Sequence, residues 1–329
     1  MWMSEDKLFK LQNDEWGITV TISPEHGGEI SSITVLFEGS VKEVLYRGND
    51  FSEVSGWRGR APLLWPAVGR SYTQAYLDKL KAGEGDPRFG EYDLQGKTLP
   101  IPIHGFAMRK PWEPYITDSD SILCSLTSDG ETRRYYPFDF KIEVEYKLVG
   151  TKITATYRII SGEDGMCFSI GNHISFNLPL GGKGMYEDTL FRSSARKVLE
   201  LTEYGMLSGI EKDMDFSLVR SLADETLHDM VTGGITRDEA YIELLNPCFV
   251  KDKGAPYGIR VSQREIPISG IRKANPDNFL LVLWGEPDKG YFCPEPWYGG
   301  PNSLNTKEGL IHLDAGEEFL WEMGVEFLV

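Results

Sequence analysis

Residues 138–160, FDFKIEVEYKLVGTKITATYRII, contain two runs in which apolar and polar residues alternate. Alternation with a period of two places every second side chain on one face of an extended chain, which is typical of a half-buried β-strand. Between the runs lies Val149-Gly150-Thr151, where glycine permits the positive φ that a tight reversal needs. This stretch therefore predicts an antiparallel hairpin over Phe138–Leu148 and Lys152–Ile160.

The rest of the chain repeats short strand-like runs between clusters of Gly, Asp, Asn and Pro. Helical signals are few: Ser221–Val231 is predicted to be a short surface helix, and Ser71–Arg88 an insertion that begins with a helical turn and lies over one rim of the sheet. The sequence therefore favours an all-β fold, a large antiparallel β-sandwich with few short helices, formed by residues 1–329 as a single domain. The further predicted strands are Gly17–Ile22, Ile30–Phe37, Ser121–Ser128, Phe168–Ile170, Ala240–Leu245, Phe279–Trp284 and Phe319–Phe327.

Charge and cysteine content exclude several classes of partner. The 329 residues contain 34 Lys and Arg against 50 Asp and Glu, so the net charge of −16 would repel a nucleic acid backbone. The first residues, MWMSEDKLFKLQNDEWG, contain acids and no uninterrupted apolar run, which argues against a signal peptide or a membrane anchor. The four cysteines are widely spaced and are expected to be reduced, so we expect a cytoplasmic protein.

Two of the five histidines and one glutamate are candidates for acid–base chemistry. His104 lies in PIPIHGFAMRKPW, His173 in CFSIGNHISFNLPL, and Glu295 in YFCPEPWYGGPN. Each has an ordinary structural interpretation when taken alone, because imidazole is often a hydrogen-bonded core group and a glutamate between prolines is often a loop acid. The flanking prolines restrict the backbone at Glu295, and apolar neighbours would raise the pKa of its carboxyl toward that of a general base.

Further polar and aromatic residues are candidates for binding a polyhydroxylated ligand. Arg70 and Asp238 carry groups that can hold hydroxyls through directed hydrogen bonds, although each is individually more typical of a surface or salt-bridged residue. Flat apolar faces for a sugar ring are offered by Phe176, Trp284, Trp297 and Tyr298, where filling the core is the simpler alternative.

Metal and nucleotide sites are not predicted. His26 and Glu29 in PEHGGEI are better explained by a turn at the paired glycines, since no third ligand lies nearby. The segment GGKG at 181–184 lacks the spacing of a phosphate-binding loop.

Several motifs together resemble the aldose 1-epimerase (galactose mutarotase-like) family, in particular its bacterial aldose-epimerase-like branch. HGF followed by G-x-H-x-x-F-N-L and E-P-W is a far more specific combination than any one of the three. The resemblance covers nearly the whole chain, through GGEISSI (27–33), PLLWPAVGR (62–70), YDLQGKTLPIPIHGFAMRKPW (92–112), FSIGNHISFNLPL (168–180), DEAYIEL (238–244), YFCPEPWYGGPNS (291–303) and LDAGEEFLWEMGVEF (313–327).

The resemblance implies a β-sandwich with a concave sugar groove and the interconversion of α and β anomers of a free aldose. It implies that His173 is the general acid, Glu295 the general base and His104 the second catalytic histidine. Arg70 and Asp238 are implied to bind the sugar, the latter guided only by the strand pattern that follows it. Neither a cofactor nor a metal is expected, and the partner is a small-molecule sugar.

Two alternatives remain open from the sequence. A related enzyme of the same fold would act on hexose 6-phosphates, using cations such as Arg58, Arg60 and Arg109 to hold the phosphate. The second alternative is a carbohydrate-binding protein that has the sugar groove but does not catalyse a reaction. The chain also departs from the family pattern in the Ser71–Arg88 insertion, in Pro294, and in Met108-Arg109 after HGFA, all of which bear on which sugar is accepted.

Overall fold

The computed structural model describes residues 7–48, 51, 59–116, 121–251, 253, 255–268 and 275–329. Strands dominate this part of the chain, numbered here in chain order. They are β1 (Phe9–Asn13), β2 (Ile18–Ser23), β3 (Glu29–Phe37), β4 (Ser40–Glu43), β5 (Leu63–Leu64), β6 (Phe89–Leu94), β7 (Lys97–Pro102), β8 (Glu113–Ile116), β9 (Ser121–Thr127), β10 (Phe140–Val149), β11 (Lys152–Ser161), β12 (Met166–Phe168), β13 (Ile170–Asn172), β14 (Phe176–Asn177), β15 (Leu190–Ser193), β16 (Lys197–Leu201), β17 (Leu207–Asp213), β18 (Arg220–Ser221), β19 (Asp229–Gly233), β20 (Glu239–Leu245), β21 (Gly258–Glu265), β22 (Phe279–Glu286), β23 (Tyr291–Tyr298), β24 (Ile311–Leu313) and β25 (Glu318–Leu328).

Helices are few and short among the described residues. The α-helices are α1 (Gln74–Lys81), α2 (Thr132–Tyr135) and α3 (Ser303–Thr306). Short 3₁₀ turns lie at Pro24–His26, Ala107–Arg109, Leu180–Gly182, Tyr186–Asp188, Glu225–His228, Pro276–Asn278 and Pro287–Lys289.

The strands form an antiparallel β-sandwich built on two large sheets. One sheet has nine strands in the order β18-β15-β20-β21-β25-β11-β10-β9-β8, and the other follows β17-β16-β19-β22-β23-β13-β5, with β14 also paired to β23. Smaller units are the sheet β1-β2-β3-β4, the hairpin β6-β7 and the pair β12-β24. All strand pairs in these sheets are antiparallel, so the predicted fold class is confirmed.

The hairpin predicted over residues 138–160 is confirmed. β10 and β11 pair from Phe140 opposite Ser161 to Val149 opposite Lys152. Buried and more exposed side chains alternate along both strands, because one face is turned to the core and the other outward. The predicted strand Phe168–Ile170 is instead divided at Ser169 between β12 and β13.

An aromatic cluster around Trp65 forms part of the core. This indole is fully buried, and Phe106, Tyr136 and Phe140 meet it with their rings tilted or edge-on at centroid distances of 5.7, 5.2 and 4.4 Å. Tilted contacts of this kind suit the negative faces and positive edges of aromatic rings. The cluster lies next to the segment that carries His104, because Phe106 and Ala107 donate their amides to the Trp65 carbonyl.

Gln263 on β21 connects the two large sheets through hydrogen bonds. Its side chain is fully buried, and Nε2 donates to the carbonyl oxygens of Leu280 on β22 at 2.8 Å and Trp297 on β23 at 2.9 Å. Its Oε1 accepts a hydrogen bond from the indole of Trp321 on β25. All the polar atoms of a buried amide are thereby used, and the two sheets are held at a fixed offset.

The segment Ser221–Val231 is not the predicted helix. It contains β18, the 3₁₀ turn Glu225–His228 and the start of β19. Asp224 accepts a hydrogen bond from the Thr226 amide, which begins the turn, but the chain then pairs with β22 from Asp229 onward. The sheet therefore takes the backbone groups that a longer helix would have needed, and tertiary pairing overrides the local helical signal.

The insertion Ser71–Arg88 begins with a helix, as predicted. α1 starts after Thr73, whose Oγ1 accepts a hydrogen bond from the Tyr76 amide at 3.2 Å. All four cysteines are free thiols. Within the described ranges, no helix is long and apolar enough to cross a membrane.

We predict that Gln263→Glu lowers the free energy of unfolding by at least about 2 kcal/mol, because the new group cannot donate to the two carbonyls it faces and an unsatisfied buried polar group costs about 1–3 kcal/mol. Urea unfolding followed by tryptophan fluorescence measures the change. Gln12→Glu is the matched control, since Gln12 makes only an exposed hydrogen bond to Thr19. Equal stability of the two variants would contradict the role given to Gln263.

Candidate active site

Strand register brings a carboxylate and an imidazole together on the eight-stranded sheet. Glu295 on β23 faces Val282 on β22, and Trp297 faces both Leu280 on β22 and Gly171 on β13. His173 follows β13 directly, where continuation of the same register would place it opposite Glu295. The Nε2 atom of His173 lies 3.4 Å from Oε1 of Glu295.

A gap in the sheet makes room for this pair. β14 pairs with Tyr291 and Phe292 of β23, and β13 with Trp297 and Tyr298, so the residues between are paired on one side only. Pro294 and Pro296 lie within the gap. Since proline has no amide hydrogen, neither leaves a donor unpaired where the neighbouring strand is missing.

Glu295 is a buried acid, only 2% exposed. Its Oε2 accepts a hydrogen bond from the Trp297 indole at 3.1 Å. Burial raises the pKa of the carboxyl well above its usual value, against the smaller opposing effect of the indole hydrogen bond. The upward shift expected from the apolar surroundings is thus present.

His173 is also buried, and burial lowers the pKa of its imidazole to about 4. Its ring packs edge-on against Trp284 and His104 at centroid distances of 5.5 and 5.4 Å. Burial thus disfavours the charged form of both partners, which favours a neutral imidazole beside a neutral carboxyl over an ion pair.

The second histidine, His104, is held in one tautomer by Gly69. The Gly69 amide donates to Nδ1 of His104 at 3.1 Å, and the His104 amide donates to the Gly69 carbonyl at 2.9 Å. Burial, together with the nearby His173, lowers the pKa of this imidazole well below its usual value. With Nδ1 accepting a hydrogen bond, the proton of the neutral ring lies on Nε2, which can donate to a ligand.

An unusual backbone turn presents the His104 ring. His104 and Gly105 both have positive φ, at 64° and 70°. A Cβ atom at Gly105 would lie only 2.1 Å from the Trp65 carbonyl oxygen, so only glycine fits there. Left-handed backbone at a non-glycine residue is sparsely populated and is held here by the surrounding hydrogen bonds.

The three groups line one cavity of about 850 Å³. Its floor is apolar and is formed by Leu64, Met108, Val231 and Val282, with Trp297 and Trp284 beside them. The Arg70 guanidinium also lines the cavity and lies directly on Gly205, where a Cβ atom would be 2.1 Å from Nη1. A few convergent polar groups over an apolar floor are typical of small-molecule sites.

Three residues considered for sugar binding lie elsewhere. Asp238 is exposed and directly precedes β20, which belongs to the nine-stranded sheet, so it does not line the cavity. Phe176 on β14 is fully buried and pairs with Phe292, so its ring fills the core. Tyr298 is likewise a core residue, whose hydroxyl donates to Glu265. His104, His173, Glu295, Arg70, Trp297 and Trp284 do line the cavity.

Asp229 is one of two acidic residues of the cavity, the other being Glu131, that sequence reasoning missed. Asp229 opens β19, faces Trp284 across the strand pair, and lines the cavity. The sequence did contain an indication of this position, because Asp229 begins a short run, DMVTG, that is also compatible with a strand. Assigning these residues to a surface helix concealed that Asp229 and Val231 share one face of the sheet.

The cations considered for a phosphate have different surroundings. Arg58 lies outside the described residues. Arg60 is buried, with Nε 3.9 Å from Oε1 of Glu29 and Nη2 donating to the Gly48 carbonyl. Arg109 lines the cavity, and its Nη1 donates to the Gly105 carbonyl at 2.7 Å. In the part of the chain that the structure describes, no group of three or more His, Cys, Asp or Glu side chains is arranged to hold a metal ion.

A β-sandwich whose open cavity contains a buried carboxylate–imidazole pair defines a small-molecule site with acid–base groups. A family model described as aldose 1-epimerase matches residues 7–325, and the chain therefore belongs to the aldose 1-epimerase family. The chromosomal protein LacX of Lactococcus lactis subsp. lactis is 25% identical over 258 residues, which is 78% of each chain.

Solved structures share the fold. The galactose mutarotase related enzyme from Lactobacillus acidophilus is 22% identical, with a TM-score of 0.76 over 98% of both chains. A galactose mutarotase-like protein from Lactobacillus casei ATCC 334 is 20% identical, with a TM-score of 0.71 over 97% of this chain and 99% of that one. At these identities the likeness is one of fold.

Proposed function

We propose that this protein is an aldose 1-epimerase that interconverts the α and β anomers of a free aldose by opening and reclosing the sugar ring. The observation that carries the proposal is the contact between His173 and Glu295 in a cavity also lined by His104. Ring opening needs one group that accepts the proton of the anomeric hydroxyl and one that protonates the ring oxygen. A buried pair that holds a single proton supplies one of each.

In our assignment Glu295 accepts the proton from the anomeric hydroxyl while His173 protonates the ring oxygen. The single proton must then lie on His173 when the sugar is bound, and the Trp297 indole stabilises the carboxylate that results. His104 donates from Nε2 to the oxygen that becomes the aldehyde carbonyl. After rotation about the C1–C2 bond, the same groups act in reverse and the other anomer forms.

Arg70 and Asp229 are suited to hold the sugar hydroxyls, and Trp297 offers an apolar face to the ring. Binding alone would not require two buried titratable groups in contact, which favours catalysis over a purely carbohydrate-binding role. Of the cations considered for a hexose 6-phosphate, Arg60 is buried against Glu29 and does not line the cavity, whereas Arg109 lines it. The free cysteines support a reducing compartment such as the cytoplasm.

Glu295→Gln tests the assignment directly. The amide keeps the shape of the side chain but cannot accept a proton, so we expect the rate of anomer interconversion to fall by about 10²–10⁴-fold while sugar affinity is retained. His173→Asn should have a similar effect. Polarimetric decay of a pure anomer measures the rate, and calorimetry measures the affinity.

The control is Glu265→Gln, since Glu265 is also a buried acid but does not line the cavity. A folded Glu295→Gln protein with near-parental rates on a sugar that the parent turns over would refute the mechanism.

The pH dependence of kcat/KM should be bell-shaped. Below about pH 4 the neutral His173 gains a proton, the pair then holds two protons, and the base is lost. At high pH the carboxyl of Glu295 loses its proton at a raised pKa, and the acid is lost. We therefore expect a plateau that extends down to about pH 4. Rates corrected for spontaneous mutarotation test this, and a loss of activity on acidification centred near pH 6.5, the usual pKa of histidine, would contradict it.

Asp229 and Asp238 form a matched pair of variants. Asp229→Asn removes a charged acceptor from the cavity, and we expect sugar affinity to fall by roughly 10–100-fold, the range for a hydrogen bond to a charged group. Asp238→Asn should leave affinity unchanged because that side chain lies outside the cavity. Titration calorimetry with the preferred sugar distinguishes them, and the reverse ranking would restore the sequence-based assignment.

A further inference from the structure

The cavity continues beyond the acid–base residues toward a rim formed by the end of the insertion and the hairpin β6-β7. Arg88 and Phe89 line this part where the first strand of the hairpin begins, and Pro102 and Ile103 line it where the second strand ends. Tyr135 of α2, whose carbonyl accepts a hydrogen bond from the Tyr92 hydroxyl on β6, also lines the cavity. The sequence predicts that the insertion lies over one rim of the sheet. In the structure, the last residue of the insertion, Arg88, lines the same cavity as His104.

Phe89 is an exposed aromatic side chain within a binding cavity. Its side chain is 52% exposed, and Tyr115, at 50%, is the one other exposed aromatic among the described residues. Tyr115 lies on β8 and does not line the cavity. A large apolar ring left in water gains free energy when a ligand covers it, by about 25 cal/mol for each Å² of apolar surface buried.

The position of Phe89 relative to the reacting groups is fixed by the hairpin. Phe89 faces Pro102 in the β6-β7 register, and the Ile103 amide donates to the Arg88 carbonyl at 2.9 Å. His104 follows Ile103 directly. The ring is therefore anchored two residues from His104 across the hairpin, at a rim that is continuous with the acid–base site.

Two of the cations at this rim, Arg88 and Lys110, are ion-paired. Arg88 Nη2 lies 2.8 Å from Asp86 Oδ2, and Lys110 Nζ lies 2.6 Å from Glu131 Oε2 and 3.4 Å from Asp129 Oδ2. Ion-paired groups of both signs beside an exposed aromatic ring suit a neutral ligand with many hydroxyls better than an anion. The C–H groups of a pyranose carry partial positive charge and match the negative face of an aromatic ring.

The size of the cavity also exceeds what one sugar needs. A single hexose has about 12 non-hydrogen atoms, whereas pockets of roughly 300–1,000 Å³ hold drug-sized ligands. The volume here, about 850 Å³, lies toward the upper end of that range. With one hexose at Glu295 and His173, room remains along the rim for a group of similar size.

We propose that Phe89 and the rim around it form a second sugar subsite, which binds the non-reducing unit of a reducing disaccharide whose reducing unit occupies the acid–base site. The proposal rests on the proposed function for the orientation of the disaccharide. Phe89 stacks on the second ring, while Arg88 and the Lys110–Glu131 pair hydrogen-bond its hydroxyls. Phe89 thereby becomes a determinant of selectivity between reducing disaccharides and monosaccharides.

The test compares matched sugars on matched variants. Polarimetry gives kcat/KM for glucose and maltose, and for galactose and lactose, with the parent protein, Phe89→Ala, Phe89→Tyr and the control Tyr115→Ala. Phe89→Ala should lower kcat/KM for the disaccharides about tenfold, equivalent to about 1.4 kcal/mol, and change that for the monosaccharides less than twofold. Phe89→Tyr and Tyr115→Ala should behave as the parent.

Calorimetry separates this inference from the proposed function. Disaccharide and monosaccharide affinities are measured on Glu295→Gln with and without Phe89→Ala, so that no turnover is needed. If no sugar is turned over by the parent but the disaccharide affinity still depends on Phe89, the epimerase assignment fails and the subsite stands. Equal losses for both sugars, or no loss for either, would overturn the subsite.

Discussion

The arrangement of the site depends on how β23 pairs with the strands on its two sides. The strand on one side is continuous, and the strand on the other side is interrupted. β22 pairs with β23 along its whole length, whereas β13 and β14 pair only with its two ends. The pairing of β13 and the pairing of β14 with β23 follow one register, so the segment between β13 and β14 interrupts the pairing without shifting it. His173 lies in this segment, at the position opposite Glu295. A shift of one residue on either side would turn one of the two side chains to the opposite face of the sheet.

The carboxylate is connected by hydrogen bonds to the opposite sheet. The Trp321 indole donates to Gln263, Gln263 donates to the Trp297 carbonyl, and the Trp297 indole donates to Glu295. Each link is buried, where hydrogen bonds are stronger and misalignment is costly. A buried acid whose pKa is raised by desolvation is costly to ionise, and rigid positioning of its donor lowers that cost at the moment when the carboxylate forms.

The strands were predictable because alternation reports directly on a half-buried face, as in β10 and β11. His104, His173 and Glu295 could be proposed from the combination of their motifs, although the 3.4 Å contact between His173 and Glu295 depends on long-range pairing that no local pattern encodes. The errors have the same origin. The helix over Ser221–Val231 had a capping residue and suitable spacing, but pairing with β22 prevailed, and with it Asp229 rather than Asp238 came to line the cavity. Phe176 was misjudged because an aromatic in a strand can face the core or the groove, and only the β14 register decides.

Chemistry and selectivity are carried by different parts of the fold. Glu295 and Trp297 are buried on a central strand of the eight-stranded sheet, where movement of one side chain disturbs the groups packed around it. Phe89, Arg88 and Asp86 lie on a surface insertion and a two-stranded hairpin, whose exposed side chains can change without disturbing a packed core. The turn at His104 and Gly105 joins the two parts: it follows the hairpin directly and is tied to Gly69, next to Arg70. A change at Phe89 or Arg88 can therefore alter which sugar is held while the proton-transfer geometry stays the same, because the hydrogen bonds that orient the His104 ring come from Gly69 and not from those side chains.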